Sequence, residues 1–284
     1  MANIAFLGTG LLGGAFAEAA AKRGNTVAAW NRTPDKARAL SRFGIRPAAI
    51  PSEAVRGASR VHLVLRDDAV VEEVIAAARP GLATDAILID HTTTLPKRTA
   101  ERAARLRAEG LAYLHCPVFM GPAAARAAQG SMMAAGPRDL FARVEADLAR
   151  MTARLEYLGE RADLAAVHKL FGNAAIIGMV AIMADVLALA RSSGIDADAA
   201  IARLRQLDLN AMVERRGVNM AKGDFAASFE LAMARKDVGL MLETLGDGPA
   251  AALPAIAARM DQLIGAGYGA LDASAMAIDA VRPG

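Results

Sequence analysis

Ile4-Ala5-Phe6-Leu7-Gly8-Thr9-Gly10-Leu11-Leu12-Gly13 is the stretch from which the rest of the chain can be read. Four apolar residues closed by glycine predict a short buried strand, and the alanine-rich run 15–21 predicts the helix that follows. A strand, a glycine turn and a helix in that order fit the opening of a dinucleotide-binding unit. There Gly8 makes the turn, Gly10 lets backbone approach a pyrophosphate, and Gly13 lets helix pack on strand. The N–H groups of Leu11, Leu12 and Gly13 at the helix start then face an anion. A tight turn without a ligand is the plain alternative for so short a motif.

A second strand, 26–30, returns where a crossover would bring it, and the residues at its tip select the cofactor. An acidic residue there would take the ribose hydroxyls and favour NAD; this chain has Asn31-Arg32-Thr33, with Lys36 one turn later. Arg32 offers a planar fork of donors suited to a phosphate and Thr33 a hydroxyl, which predicts NADP. The bland reading of Arg32 is a solvated loop charge.

The 284 residues suffice for two domains. The net charge of +3 is scattered among acids, and aromatics are only 4%, so no nucleic-acid role is expected. The single cysteine, Cys116, excludes an internal disulfide, and His62, His91, His115 and His168 lack zinc-ligand spacing, so no metal is expected. A strand beginning by Ile4 leaves no room for a signal segment ahead of it, and a cytoplasmic protein is expected.

Strand-like runs at 61–65, 86–90 and 113–118 alternate with helical patterns at 34–42, 68–78 and 96–109. This alternation predicts a mostly parallel sheet covered on both faces, a Rossmann-like α/β domain over residues 1–163. Ligands bind beyond the carboxyl ends of such strands, in the loops carrying Leu65 and Arg66, His91 to Thr94, and Phe119-Met120-Gly121. A helix at 139–150 and an edge strand at 155–158 close the domain. From residue 164 to 284 only helical patterning remains, which predicts an all-α substrate and dimerisation domain entered through a long helix at 165–191. Later helices are expected at 197–206, 210–222, 231–245 and 254–264. Segment 170–190 is long and apolar enough to raise a membrane span, but Asn173 and Asp185 interrupt it. A helix buried between two domains and against a second copy fits better, so no membrane and a homodimer, or a multiple of one, are expected.

Lys169 and Asn173 lie four apart on that helix, on one face and roughly 6 Å apart along the axis. A helical lysine is commonly a solvated charge. Here the surrounding residues are apolar, and an ammonium near low-dielectric walls has its pKa pushed down toward proton trading. Asn173 can hold a substrate hydroxyl or orient the lysine. The pair has the makings of an acid/base centre.

With these residues in place the chain resembles, over essentially its whole length, the beta-hydroxyacid dehydrogenase family, which includes 3-hydroxyisobutyrate dehydrogenases and glyoxylate or succinic semialdehyde reductases. Gly8-Thr9-Gly10-Leu11-Leu12-Gly13 with Asn31-Arg32-Thr33 is similar to the family's cofactor motif in its NADP-preferring form. Asp90-His91-Thr92-Thr93-Thr94-Leu95-Pro96 resembles its Asp-x-Ser-Thr-x-x-Pro loop, which implies Thr93 beside nicotinamide and substrate. Lys169 and Asn173 match the catalytic lysine and its asparagine. Phe229 and Lys236-Asp237 look like the C-terminal motif, implying that Phe229 and Lys236 reach the cofactor and Asp237 the substrate; without the resemblance Lys236-Asp237 reads as a solvated helix face.

One loop departs. The family's Asp-x-Pro-Val-Ser-Gly-Gly is here His115-Cys116-Pro117-Val118-Phe119-Met120-Gly121, so a serine and a glycine that hold a substrate carboxylate have become Phe119 and Met120. This predicts a more apolar substrate pocket. Gly130 also falls farther along than the pattern expects. Arg66 and Arg126 are possible carboxylate partners, each more plainly read as a surface arginine. The resemblance implies an NADP(H)-dependent oxidoreductase interconverting a small hydroxyacid and its aldehyde or keto form, Lys169 acting as general acid/base. The alternatives are an imine reductase-like enzyme, in whose relatives the lysine is usually replaced, and a nonenzymatic NADPH-binding sensor.

Overall fold

The computed structural model describes residues 2–281. The chain forms two compact units, Met1–Gly172 and Asn173–Gly284. In the first, β1 (Asn3–Leu7) leads through the glycine turn into α1 (Leu11–Lys22) and β2 (Thr26–Trp30). There follow α2 (Pro34–Arg38), β3 (Arg46–Pro47), α3 (Pro51–Ala54), β4 (Arg60–Leu63), α4 (Asp68–Ala78), β5 (Ile87–Asp90), α5 (Pro96–Ala108) and β6 (Ala112–His115). β1 pairs in parallel with β2 and β4, and β5 in parallel with β4 and β6.

Past β6 the sheet turns irregular. β7 (Val118–Phe119) and β6 both run antiparallel to β8 (Ser131–Ala135), which pairs in parallel with β9 (Arg154–Gly159). Between them lie α6 (Pro122–Arg126) and α7 (Arg138–Ala149). The strand β8 has no counterpart in the sequence reading, because Ser-Met-Met-Ala-Ala lacks the β-branched residues that announce strands. Its pairing supplies what its local propensity does not.

Alternation along the strands divides the core in two. Phe6, Ile89 and Leu114 face one side with Phe16 and Phe141. Leu7, Leu63 and Leu88 face the other with Val71 and Leu106. Each fully buried Leu or Phe contributes about 1.5–3 kcal/mol relative to exposure, and the two faces lock the strand register.

The second unit is helical. It takes in α8 (Leu164–Ser192) from Asn173 onward, then α9 (Ala197–Leu204), α10 (Leu209–Met212), α11 (Val218–Ala221), α12 (Leu231–Leu245), α13 (Leu253–Gly265) and α14 (Ile278–Val281). A wide π-type turn, Val213–Gly217, joins α10 to α11 where one regular helix was expected. Leu231, Val238, Leu253, Met260 and Leu263 form its core. Asp185, 2% exposed, accepts N–H bonds from Ala251, Ala252 and Leu253 and so stabilises the start of α13.

Within this chain Phe171, Ile176, Ile177 and Val180 are 52–66% exposed, while Asp185, Ala188 and Ala190 farther along the same helix are buried. By length and composition α8 is long and apolar enough to cross a membrane. The polar Asp185 anchor to α13 gives its C-terminal half a place in the helical unit instead.

Candidate active site

The glycine turn shows why each of its three glycines stands where it does. Gly8 has φ +96°, and a Cβ there would lie 2.3 Å from the Val64 carbonyl oxygen. A Cβ on Gly13 would lie 2.0 Å from the Gly8 carbonyl oxygen. Gly10 differs: a Cβ there would meet nothing within 4 Å. It caps α1 without a side-chain bond, and the first turn carries no acidic residue. The helix start therefore presents free N–H groups to open space, with a positive dipole end behind them.

The tip of β2 is tied to this turn. Asn31 Oδ1 accepts from the Thr9 N–H at 2.9 Å, and Asn31 Nδ2 donates to the Thr33 carbonyl at 3.1 Å. Asn31 thus serves as a structural brace. Arg32 and Lys36 are exposed and have no ion pair among the described residues. One guanidinium and one ammonium at the tip tied to the glycine turn fit a nucleotide phosphate, and the uncrowded Gly10 fits a pyrophosphate.

The loop after β5 is held by a buried polar network. Arg102 on α5 is fully buried and pairs with Asp68 at 2.6 Å, Glu72 at 2.7 Å and Asp90 at 3.6 Å. Asp68 in turn accepts the Leu95 N–H, Asp90 accepts the Thr92 N–H and the Tyr113 hydroxyl, and Thr92 Oγ1 accepts the Leu65 N–H. His91, Thr92 and Thr94 are buried, while Thr93 between them is exposed. The network thus fixes the loop and leaves Thr93 facing outward beyond the carboxyl end of the sheet.

Lys169, on α8, is half-buried, and that burial lowers its pKa. Its Nζ lies 3.8 Å from the centroid of the Phe119 ring. Asn173 follows one turn later on the same helix.

In the second unit, Phe229 is 40% exposed, and its N–H donates to Asp272, which also accepts from Ser228. Burial alone would raise the Asp272 pKa, but hydrogen bonds from Ser274 and Ser228 outweigh it and hold the carboxyl well below its usual range. Lys236 and Asp237 pair with each other at 2.9 Å, both partly solvated. Arg66 pairs with Asp67 at 2.6 Å, and Arg126 with Glu18 at 2.7 Å, so Arg126 is committed to α1.

Residues 3–159 match the family described as the NAD binding domain of 6-phosphogluconate dehydrogenase. Glyoxylate/succinic semialdehyde reductase 1 of Arabidopsis thaliana is 28% identical, covering 99% of this chain and 98% of the relative. The 3-hydroxyisobutyrate dehydrogenase of Pseudomonas aeruginosa is 29% identical over 85% of each chain. The chain belongs to the beta-hydroxyacid dehydrogenase family. Among solved structures, a reductive aminase from Aspergillus terreus in complex with NADPH and ethyl levulinate superposes with a TM-score of 0.89 at 27% identity, covering 99% of this chain and 100% of that one.

Within this oxidoreductase family, the departure at Phe119-Met120 comes with two compensating glycines. A Cβ on Gly172 would lie 2.2 Å from Phe119 Cζ, so the ring end rests against the bare backbone of α8. A Cβ on Gly130, which has φ +83°, would lie 2.7 Å from Met120 Cβ. Gly172 and the loop-bracing Arg102 are residues that sequence reasoning missed. Gly172 does stand in an otherwise apolar helical run, where a glycine signals close packing.

Proposed function

We propose that this family member is an NADP(H)-dependent oxidoreductase that interconverts a small hydroxyacid and its aldehyde or keto form, with Lys169 as general acid/base. The observation that carries this reading is the desolvated ammonium of Lys169 beside an aromatic ring, on the helix that also bears Asn173. When bound, the nicotinamide supplies or accepts the hydride.

The chain's own residues do the rest. Gly8, Gly10, Leu11, Leu12 and Gly13 receive the pyrophosphate; Arg32 and Thr33 take the 2′-phosphate and so favour NADP, with Asn31 holding the tip in place. Leu65, Arg66, Thr93, Phe229 and Lys236 complete the cofactor contacts. Lys169 gives its proton to the carbonyl oxygen during reduction and takes one from the hydroxyl during oxidation. Thr93, Phe119, Met120, Gly121, Asn173 and Asp237 shape the substrate side. In this reading residues 1–163 carry the cofactor, and residues 164–284 carry substrate contacts and the dimer surface. The exposed apolar face of α8 is covered by a second copy, so light scattering at micromolar concentration should return a dimer or a multiple of one.

A second reading, imine reduction, draws on Phe119, since an apolar ring replaces donors that a carboxylate substrate would use. The test is NADPH oxidation with glyoxylate, succinic semialdehyde or a cyclic imine. Turnover of a keto acid or semialdehyde supports carbonyl reduction, whereas turnover of the imine alone overturns it in favour of the second reading.

A further inference from the structure

At the amino-terminal edge of the sheet, opposite the glycine turn, two adjoining cavities of about 200 and 290 Å³ share Asn25, Arg60, Asp147 and Arg150. Arg23 lines the first and Arg143 the second. Four guanidinium groups thus surround the pair, against the carboxylates of Asp147 and Asp85. Arg60 pairs with Asp147, and Arg143 donates to the Asp85 carbonyl. The side chains of Arg23 and Arg150 have no hydrogen-bond or ion-pair partner among the described residues.

Arg23 and Arg150 stand at the carboxyl ends of α1 and α7, where a helix dipole favours a cation. That argument does not reach Arg60. It opens strand β4, is only 7% exposed, and its Nε is buried without a hydrogen-bond partner. A buried guanidinium with an orphaned donor is costly unless something accepts from it. Burial and the charge of Arg150 both hold Arg60 below its ordinary pKa. His62, which lines the same cavity, is held well below its own by burial, by His91 and by the field of Arg60 and Arg23. The basin carries uncompensated positive charge and forked donors, and the shortfall is an anion.

We propose that this basin binds a small multivalent oxyanion of the phosphate class, at a site separate from the glycine turn and the β2 tip. Arg60 supplies the floor, Arg23 and Arg150 the rim, and bidentate guanidinium geometry selects a tetrahedral or planar oxyanion over chloride.

The test is isothermal titration of the full chain with sodium phosphate at constant ionic strength set by chloride, together with NMR of the histidine rings. The expected result is one saturable phosphate, movement of the His62 resonances on binding, and an affinity weakened at least about tenfold by Arg150→Ala and by Arg23→Ala. Both arginines are exposed, so these variants keep their fold, and circular dichroism verifies it. NADPH at saturation, which fills the glycine turn and the β2 tip, should leave this phosphate binding unchanged. Glycerol 3-phosphate binding more tightly than orthophosphate would mark the occupant as a phosphate ester, and equal or weaker binding would mark it as the free ion. Absence of saturable binding, or binding abolished by saturating NADPH and untouched by Arg150→Ala, overturns the proposal.

Discussion

Lys169 Nζ lies 3.8 Å from the centroid of the Phe119 ring, and the far end of that ring occupies the space a side chain on Gly172 would fill. The ring is thereby held against the same helix that carries the lysine. Its negative face stabilises the ammonium, opposing the burial that lowers the Lys169 pKa.

Removing the ring by Phe119→Leu should lower the Lys169 pKa further. A cation–π contact of about 0.5–2 kcal/mol corresponds to roughly half to one and a half pH units. In the proposed mechanism carbonyl reduction uses the protonated lysine, so the alkaline limb of the pH–rate profile should move to lower pH. Gly172→Ala displaces the ring and should move the limb the same way, at an overpacking cost of about 1–3 kcal/mol that the helix propensity of alanine offsets only in part. Profiles superimposable on wild type in both variants would show that the ring does not tune the lysine.

The three turn glycines should separate fold from binding. Gly13→Ala forces a methyl to within 2.0 Å of a backbone carbonyl and is expected to destabilise the first unit strongly, as a lowered melting temperature. Gly10→Ala meets open space and should melt like wild type while binding NADPH at least about tenfold more weakly, as followed by nucleotide fluorescence titration. Unchanged affinity in Gly10→Ala would remove the turn from the cofactor site.

Arg32→Ala should raise the dissociation constant for NADPH by about ten- to a hundred-fold, equivalent to about 1.4–2.7 kcal/mol, and leave that for NADH nearly unchanged. Equal losses for both nucleotides would mean that Arg32 does not read the 2′-phosphate.

The buried histidines make stability fall on mild acidification. His62 Nδ1 and His91 Nε2 are 2.9 Å apart, and His91 Nδ1 bonds the Cys116 carbonyl. Burial holds the His91 pKa down at about 4, and His62 and His115 are displaced in the same direction. In the unfolded chain these rings take up protons below their ordinary value of 6.5, which the folded state refuses. Stability is therefore full above about pH 6.5 and is lost as pH falls toward 4, by up to about 1.4 kcal/mol per pH unit for each ring. Asp185 and Asp272, both held below the ordinary 3.8, add their losses only at still lower pH. Urea midpoints should drop between about pH 7.5 and pH 5; constant midpoints would contradict neutral buried rings.

Local pattern sufficed where one segment's composition decided its structure. Residues 68–78 and 231–245 are helical over the predicted spans because their apolar spacing is local, and Asp67, immediately before the first, caps it through the Val70 N–H. The glycine turn was legible for the same reason. It failed where distant partners decide. The strand β8 depends on β6, β7 and β9 for its hydrogen bonds. The Phe119-Met120 departure was visible as letters, but its accommodation by Gly172 and Gly130 joins residues far apart in sequence. Such contacts carry no periodic signature.

The most direct test of Lys169 as proton donor is single-turnover NADPH oxidation with a semialdehyde or keto acid that wild type reduces, repeated with Lys169→Met, which keeps an unbranched chain and removes the ammonium. The rate of the chemical step should fall by about a hundred-fold or more with NADPH affinity unchanged. A variant that reduces the same substrate at the wild-type rate would contradict general acid/base catalysis by this lysine.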